Sequence, residues 1–242
     1  IGSNTITLNA LSEATYSDCT ITVTDTFGNV SKALTISPFE IDTTSPTVRE
    51  VTAVTNPTND TTPNYTFSSN ESGTASYGGS CSSSTTSVTS GNNTVALKGS
   101  STSTLSDNTT YSDCTVTVTD GAGNVSDSIT ITEFTVDTTA STLVEVTAVT
   151  TPTNDTSPDY SFSSSQSGTI TYGGDCTSDN ATTDASDNST ITLKESDNTT
   201  FDENTYNNCT LTVTDNASNA VTLSISSFVI DTTAPTLVST SP

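Results

Sequence analysis

The sequence predicts an all-β fold made of tandem β-sandwiches, with no helices of note. Apolar β-branched residues alternate with polar ones at a period of two, as between Cys114 and Thr119, and this period is typical of strands. Clusters of Pro, Gly and Asn interrupt each such run and leave no room for a helix. Cysteines recur every 95 residues, at Cys19, Cys114 and Cys209. A period this long indicates tandem domains rather than a solenoid of small units.

The composition and net charge of the chain exclude some classes of binding partner. Of the 242 residues, 30% are hydrophobic, and so low a content can signal disorder, but the regular spacing of Val, Ile, Tyr and Phe favours small β domains. The net charge of −23 comes from 27 acidic residues against four basic ones, so no basic patch can form to bind nucleic acid or an acidic membrane surface. Such acidity keeps a polymer soluble or recruits cations. No apolar run approaches the ~20 residues of a membrane span.

The repeat defines the expected domains. One complete copy occupies residues 43–137 and the next occupies 138–231, and we call these the second and third copies. Residues 1–42, the first copy, match only the C-terminal half of a repeat, and residues 232–242 match a linker and the first strand of a following one. We therefore expect a segment of a longer array. Strand exchange between chains is the alternative, although residues 232–242 could supply only one strand.

The strands of the second copy predict the type of sandwich. In the strand from Cys114, Val116 and Val118 point to one face and threonines to the other, which indicates one buried and one wet face. The apolar parity of the last strand slips between Ile131 and Phe134, and a β-bulge is the expected cause. The predicted strands are Val48–Val54, Tyr65–Ser69, Thr74–Tyr77, Thr94–Leu97, Cys114–Thr119 and Ile129–Val136.

About seven short strands per copy, with a tyrosine just ahead of a strand cysteine, indicate an immunoglobulin-like sandwich. The spacing here is Tyr-x-x-Cys rather than the antibody Tyr-x-Cys, and the chain has no tryptophan. The match is therefore to the architecture and not to antibodies. Tyr16, Tyr111 and Tyr206 are predicted to tether the corner before the cysteine strand.

The cysteines predict one disulfide in each complete copy. Cys81 and Cys114 are separated by 33 residues, as are Cys176 and Cys209. Pairing within a copy would place the chain in an oxidising, extracellular setting. A redox or metal-binding thiol pair is the alternative. Cys19 is expected to be unpaired, because its partner would lie before Ile1.

Acidic turns recur after each cysteine strand and have two interpretations. Asp and Asn cap their own turns and tolerate left-handed backbone, so plain hairpin chemistry is one. Calcium, which takes six to eight oxygen ligands, is the other. In an immunoglobulin topology, Asp60 and Asp137 of one copy should approach Asp215 of the next. The predicted calcium ligands at the junctions are Asp42, Asp60, Asp120, Asn124, Asp137, Asp215 and Asn219.

Catalysis is not expected. The chain contains no histidine, which removes Ser-His-Asp, Cys-His and ordinary zinc sites. The carboxylates recur in the turns of every copy rather than converging in one cleft, so a glycosidase pair is not expected either. The sequence predicts a protein that is not an enzyme and needs no cofactor, apart from calcium at the junctions.

Four motifs carry a resemblance to a known family. The strings VTAVTxPTNDTxPxYxFSS, YGGxC, LSDNTTYSDCTVTVTDGAGNVS and xFxxDTTAPTLV are similar to the bacterial immunoglobulin-like repeats of large secreted surface proteins and adhesins. The resemblance implies extracellular display as stiff strings of sandwiches, with roles in adhesion, biofilms or surface layers, and similar repeats in that family favour calcium at the junctions. It does not identify a ligand.

Two functions follow as expectations. The first is a spacer, stalk or fibre-forming repeat of an extracellular surface protein, in contact with other copies of the same repeat. The second is a binding module for a glycan or protein receptor. The binding module predicts variable loops, and the most variable segment lies between the cysteines, at 82–113 in the second copy and 177–208 in the third.

Overall fold

The computed structural model describes residues 2–101, 103–183 and 188–238. Within these ranges every regular element is a β-strand, and every ladder between strands is antiparallel. The predicted all-β fold class is therefore confirmed. The described residues include no helix with the length and hydropathy needed to cross a membrane.

Among the described residues, the first copy contains four short strands and the second copy contains eleven. Strands of the first copy are β1 (Ala14–Tyr16), β2 (Thr20–Ile21), β3 (Leu34–Thr35) and β4 (Phe39–Ile41). Those of the second copy are β5 (Val48–Thr52), β6 (Asn64–Ser69), β7 (Gly73–Gly78), β8 (Cys81–Ser82), β9 (Ser87–Val88), β10 (Gly91–Ala96), β11 (Lys98–Gly99), β12 (Thr109–Tyr111), β13 (Thr115–Thr119), β14 (Ile129–Thr130) and β15 (Phe134–Val136).

The third copy repeats the same order of strands. They are β16 (Leu143–Thr147), β17 (Asp159–Ser164), β18 (Gly168–Gly173), β19 (Cys176–Thr177), β20 (Thr182–Thr183), β21 (Asn188–Thr192), β22 (Lys194–Glu195), β23 (Asn204–Tyr206), β24 (Thr210–Thr214), β25 (Ala220–Ser224) and β26 (Phe228–Ile230). No strand is present in residues 232–238, and the rest of the predicted following strand, 239–242, lies outside the described residues.

The chain divides into two compact units, and each contains one boundary between successive copies. The first unit comprises Ile1–Ala53, Asn64–Ser103 and Ser112–Thr132, and the second comprises Val54–Pro63, Thr104–Tyr111 and Glu133–Pro242. The first unit holds sheets of order β10-β6-β5 and β14-β13-β7-β9 with pairs β1-β4, β2-β3 and β8-β11. The second holds β16-β17-β21 and β20-β18-β24-β25 with pairs β12-β15, β19-β22 and β23-β26.

The third copy shows how alternation builds the core of a sandwich. In β24, Leu211 and Val213 are fully buried, whereas the intervening threonines are only half-buried. These two side chains enter one hydrophobic cluster to which β17, β18 and β21 also contribute. The larger members of this cluster are Tyr160, Phe162, Ile191, Leu193, Phe201, Tyr206, Leu211, Phe228 and Ile230. Burial of these apolar side chains from both sheets stabilises the sandwich.

The predicted bulge in the last strand is wrong. That strand is interrupted between Ser224 and Phe228, but its partner is interrupted over the same length, between Tyr206 and Thr210. Tyr206 therefore pairs with Phe228 and Thr210 with Ser224 in one unbroken register. The parity slips because the last strand and its partner are interrupted at the same place. The spacing of apolar residues in one strand cannot reveal an interruption that both strands share. A register shift occurs instead in the first strand, between Glu145 and Thr147.

Two buried tyrosines yield a stability prediction. The hydroxyls of Tyr65 and Tyr160 are buried and form no hydrogen bond of normal geometry among the described residues, although the carboxylates of Glu50 and Glu145 lie near them. Burial, with the charge of Glu145 as a second cause, raises the pKa of Tyr160. Removing an unsatisfied buried hydroxyl relieves its desolvation penalty. Tyr160→Phe should therefore leave the free energy of unfolding unchanged or raise it by about 1 kcal/mol, measured by denaturant titration.

The matched control is Tyr206→Phe, because that hydroxyl has partners. It should lower the free energy of unfolding by about 1 kcal/mol. A greater loss for Tyr160→Phe than for Tyr206→Phe would show that the Tyr160 hydroxyl is satisfied after all.

Candidate functional site

Two disulfides staple the complete copies. Cys81 bonds to Cys114 and Cys176 bonds to Cys209, each with a Cα–Cα distance of 5.2 Å. In the second copy the bond joins the chain just after β7 to the residue before β13. In the third copy it joins the chain just after β18 to the residue before β24. The predicted pairing within each copy is thus confirmed. Cys19 is a free, half-buried cysteine.

The predicted corner tyrosines bond to the main chain upstream of them. In each copy the hydroxyl meets a backbone group four or five residues earlier, and the ring stacks on a phenylalanine of the last strand. Tyr16 donates to Ser12 O (2.9 Å), Tyr206 donates to Asp202 O (3.1 Å), and Tyr111 accepts from Ser106 N (2.8 Å). The ring partners are Phe39, Phe228 and Phe134, with centroids 5.3–5.4 Å away.

Each acidic hairpin is held by its own aspartate. Oδ1 of Asp120 accepts the backbone N–H groups of Ala122 (2.9 Å), Gly123 (2.7 Å) and Asn124 (2.8 Å). Its Oδ2 accepts the side-chain amide of Asn124 at 2.8 Å. That amide is the main cause that lowers the pKa of Asp120. The plain hairpin chemistry is therefore realised, and the carboxylate is engaged within its own turn.

The asparagine of each hairpin also binds the preceding linker. Nδ2 of Asn219 donates to the carbonyl oxygen of Asp137 at 2.9 Å, and Nδ2 of Asn124 donates to that of Asp42 at 3.2 Å. Both bonds span 82 residues of sequence. The linker is itself ordered, because Oδ1 of Asp137 accepts the N–H of Thr139 at 3.0 Å. The same hydrogen bond thus joins the linkers at Asp42 and Asp137 to the hairpin of the copy that follows each of them.

A second acid holds each linker from the copy before it, and sequence reasoning missed this contact. The acid lies in the loop ahead of the corner tyrosine and binds the two threonines after the linker aspartate. Asp107 accepts from Thr138 N (2.6 Å) and Thr139 Oγ1 (2.8 Å), Glu13 accepts from the hydroxyls of Thr43 and Thr44, and Glu203 accepts from those of Thr232 and Thr233. The Thr138 N–H is the main cause that lowers the pKa of Asp107.

The junction of the first and second copies gathers three carboxylates. Oxygens of Asp42, Glu71 and Asp120 lie within 4.8 Å of one another, and all three residues are half-buried. Glu71 comes from the turn between β6 and β7. Carboxylate oxygens at this spacing are the ligand type that calcium prefers. The donor set of this junction therefore fits a hard divalent cation.

The junction of the second and third copies fits a cation less well. Gln166 stands where the first junction has Glu71. In the orientation of its amide that satisfies the neighbouring acceptors, its nitrogen donates to Oδ2 of Asp215 at 3.3 Å and to the carbonyl oxygen of Thr139 at 3.2 Å. Both junctions have the amide of the hairpin asparagine against the aspartate, and at the second junction a further N–H group, that of Gln166, faces the carboxylate that a cation would need. The described part of this junction contains no group of three metal-binding side chains.

The remaining predicted ligands lie apart or present the wrong atom. Oδ1 of Asp60 accepts the N–H of Thr62 at 2.8 Å, and Asp60 does not line the cavity that Pro57 forms with Asp137 and Asp215. Asn124 and Asn219 direct N–H groups at the linker, and an N–H group cannot bind a metal. The structure therefore groups Asp42 with Asp120 and Asp137 with Asp215, and Glu71 is the residue that sequence reasoning missed.

A signal for Glu71 was present in the sequence. The turns NESG and SQSG follow the second long strand of each copy. In an immunoglobulin topology this turn lies at the same end of the sandwich as the acidic hairpin. Topology, rather than a local motif, would have placed Glu71 beside Asp120.

Comparison with models of known protein families and with curated proteins finds no match to this chain. The resemblance to bacterial surface repeats therefore stays a prediction, and the functional argument rests on the geometry of the copies and their junctions.

Proposed function

We propose that this chain is a non-catalytic structural spacer, a stalk or fibre-forming segment of an extracellular bacterial surface protein. The observation that carries the proposal is the repeated junction. The same asparagine-to-linker bond occurs at Asp42 and at Asp137 with the same sequence separation. A junction that recurs in this way fixes one copy against the next. A spacer requires such a repeated junction, whereas a single recognition site does not.

Three further features support an extracellular spacer. The disulfides suit an oxidising exterior. The net charge of −23 opposes aggregation of a long, concentrated polymer. The acid-to-threonine contacts order each linker from the copy before it, so the linker is bound from both sides.

Removal of the junction bond tests the proposal. Asn219→Ala deletes the donor to Asp137, together with its bond to Asp215 inside the hairpin, and should speed hydrogen exchange of the amides at residues 137–142 about fivefold, because a hydrogen bond of roughly 1 kcal/mol to the linker is lost. The thermal midpoint of the third copy should change little. Exchange measured by mass spectrometry checks both regions.

Asn180→Ala, in the exposed segment between the cysteines, is the matched control and should leave the linker exchange unchanged. Unaltered linker protection in Asn219→Ala would contradict a junction fixed by this bond.

Calcium at the junction of the first and second copies belongs to the same proposal. The motivating observation is the group of Asp42, Glu71 and Asp120. If calcium at 100 times its Kd binds only the folded state, it stabilises by about 2.7 kcal/mol. Scanning calorimetry with calcium and with chelator should therefore show a calcium-dependent transition that Glu71→Gln abolishes.

Gln166→Glu is the reciprocal variant, because it gives the second junction the third carboxylate of the first. It should add a calcium-dependent shift at that junction. Identical melts with calcium and with chelator in the unaltered chain would contradict calcium binding.

An adhesive module is the second candidate function. It is favoured by a concave acidic surface at the variable segment of the third copy, lined by Glu195, Asp202 and Tyr206 of that segment and by Asp175 just before it. The second copy has Ser80 and Gly99 in place of Asp175 and Glu195. Exchange of segment 177–208 for 82–113 would remove a glycan-array or cell-adhesion signal if this surface binds a receptor. A signal that survives the exchange would contradict this candidate.

A further inference from the structure

The first segment of the third copy, residues 143–153, is bound directly to the last strand of that copy and to the residues just before it. Both carboxylate oxygens of Glu145, in β16, accept hydrogen bonds from Ser226, one from the backbone N–H (3.1 Å) and one from the hydroxyl (2.8 Å). Ser226 lies in the interruption between β25 and β26. Glu145 therefore links β16 to the segment that joins β25 and β26.

A second set of bonds continues this link toward the C-terminal end of the copy. Thr151 Oγ1 accepts the N–H of Val229 (2.9 Å), Thr153 N donates to Val229 O (3.0 Å), and Asp231 N donates to Thr153 O (2.9 Å). Thr153 and Ile230 form a parallel bridge, unlike the antiparallel ladders of the sheets. The first segment and the last strand thus run side by side in the same direction.

The parallel direction determines how tension acts on these bonds. In a string of copies, tension pulls the first segment toward the preceding copy and the last strand toward the following one. Two parallel segments pulled in this way slide along each other, so their bonds are strained together. In an antiparallel hairpin pulled from its open end, the bonds would break one after another.

We propose that this contact is a tension latch, with Glu145 as its side-chain lock, and that each complete copy is a force-bearing element. The inference rests on the proposed spacer function for its biological meaning. The latch itself is a physical property of one copy and is tested separately.

The second copy contains the same contacts. Glu50 accepts from Thr132 N (3.0 Å) and Thr132 Oγ1 (2.6 Å) within the first unit. Within the second unit, Thr58 N donates to Thr135 O and Asp137 N donates to Thr58 O. Thr58 and Val136 form the parallel bridge that corresponds to that of Thr153 and Ile230. Because the same contacts occur in both complete copies, they are not a chance contact of one loop.

The disulfide limits how far a copy can extend once its latch opens. Cys176 and Cys209 are separated by 33 residues, and tension cannot extend the chain between them while the bond is intact. Reduction should therefore lengthen each unfolding step by roughly 110–120 Å, at ~3.3–3.6 Å per residue. Each copy thus combines a latch that sets the force of unfolding with a staple that sets the length released.

Single-molecule force spectroscopy of the oxidised 242-residue chain, held at its ends, tests the latch. The unaltered chain should show two similar unfolding steps from the complete copies. Glu145→Ala removes two bonds to a charged group and should raise the unfolding rate of one copy about tenfold at a given force. Glu50→Ala should do the same for the other copy.

The matched control removes a side-chain bond that does not join the first and last segments. Asp159 accepts the hydroxyl of Thr192 at 2.8 Å, between β17 and β21. Asp159→Ala should leave the unfolding rate under force unchanged, and chemical denaturation should place its stability close to that of Glu145→Ala. Equal unfolding rates under force for Glu145→Ala and the unaltered chain, or an equal acceleration by Asp159→Ala, would overturn the latch.

Failure of the latch and failure of the spacer proposal are distinguishable. A flexible junction in the exchange experiment on Asn219→Ala would leave the unfolding force of a copy untouched. An unchanged unfolding force in Glu145→Ala would leave the linker protection untouched.

Discussion

Replacing both cysteines of the third copy, Cys176→Ala with Cys209→Ala, should lower the free energy of unfolding of that copy by about 3–4 kcal/mol. Without the bond, the unfolded chain regains the conformational entropy of a 33-residue loop. A copy with such a small core depends on this staple more than a large domain would. Denaturant titration followed by circular dichroism measures the change as a second transition at lower denaturant.

The second copy provides an internal control. Cys81→Ala with Cys114→Ala opens a loop of the same length and should produce the same loss. Thiol titration of the unaltered chain under denaturing, non-reducing conditions should detect one thiol, that of Cys19. Five thiols, or unchanged unfolding transitions in both double variants, would contradict the stapled structure.

Gly174→Ala should be the most damaging single methyl addition in the third copy. Gly174 has φ +71°, and a Cβ there would stand 2.1 Å from the backbone oxygen of Asn208. The left-handed backbone costs about 1–3 kcal/mol for a non-glycine residue, and relief of the overlap would move the chain next to the disulfide. We expect a loss of about 3 kcal/mol or more, measured by thermal or denaturant unfolding.

Two glycines calibrate this expectation. Gly79 is the matched position of the second copy, with φ +72° and the same close approach to Asp113 O, so Gly79→Ala should cost as much. Gly123 has a positive φ but open space around it, so Gly123→Ala should show the backbone cost alone, about 1–3 kcal/mol. If Gly174→Ala cost no more than Gly123→Ala, the close approach would not matter.

Local sequence patterns predicted the strands because alternation and turn residues act within a few positions. The predicted strand Tyr65–Ser69 is observed as Asn64–Ser69, and the burial of Val116 and Val118 follows the predicted parity. The disulfides followed from a repeated spacing. In each case the information lay within one strand or recurred at a fixed period.

The parts that could not be predicted depend on groups far apart in the chain. The matched interruption of the last strand is visible only when Tyr206 is paired with Phe228. The bonds of Glu145 to Ser226 span 81 residues, and that of Asn219 to Asp137 spans 82. No local pattern encodes such a partner. Among the differences between the two junctions is Glu71 against Gln166, whose effect depends on the hairpin that this residue faces.

The order of the linker backbone tests the central claim, a fixed junction, most directly. Thr138 N is bound by Asp107, Thr139 N by Asp137, and Thr142 N by the hydroxyl of Ser165. Nuclear spin relaxation of these amides in the unaltered chain should give order parameters near about 0.85, the level of a rigid backbone. Values below about 0.6 at these amides, with rigid strands on both sides, would contradict a spacer built from fixed junctions.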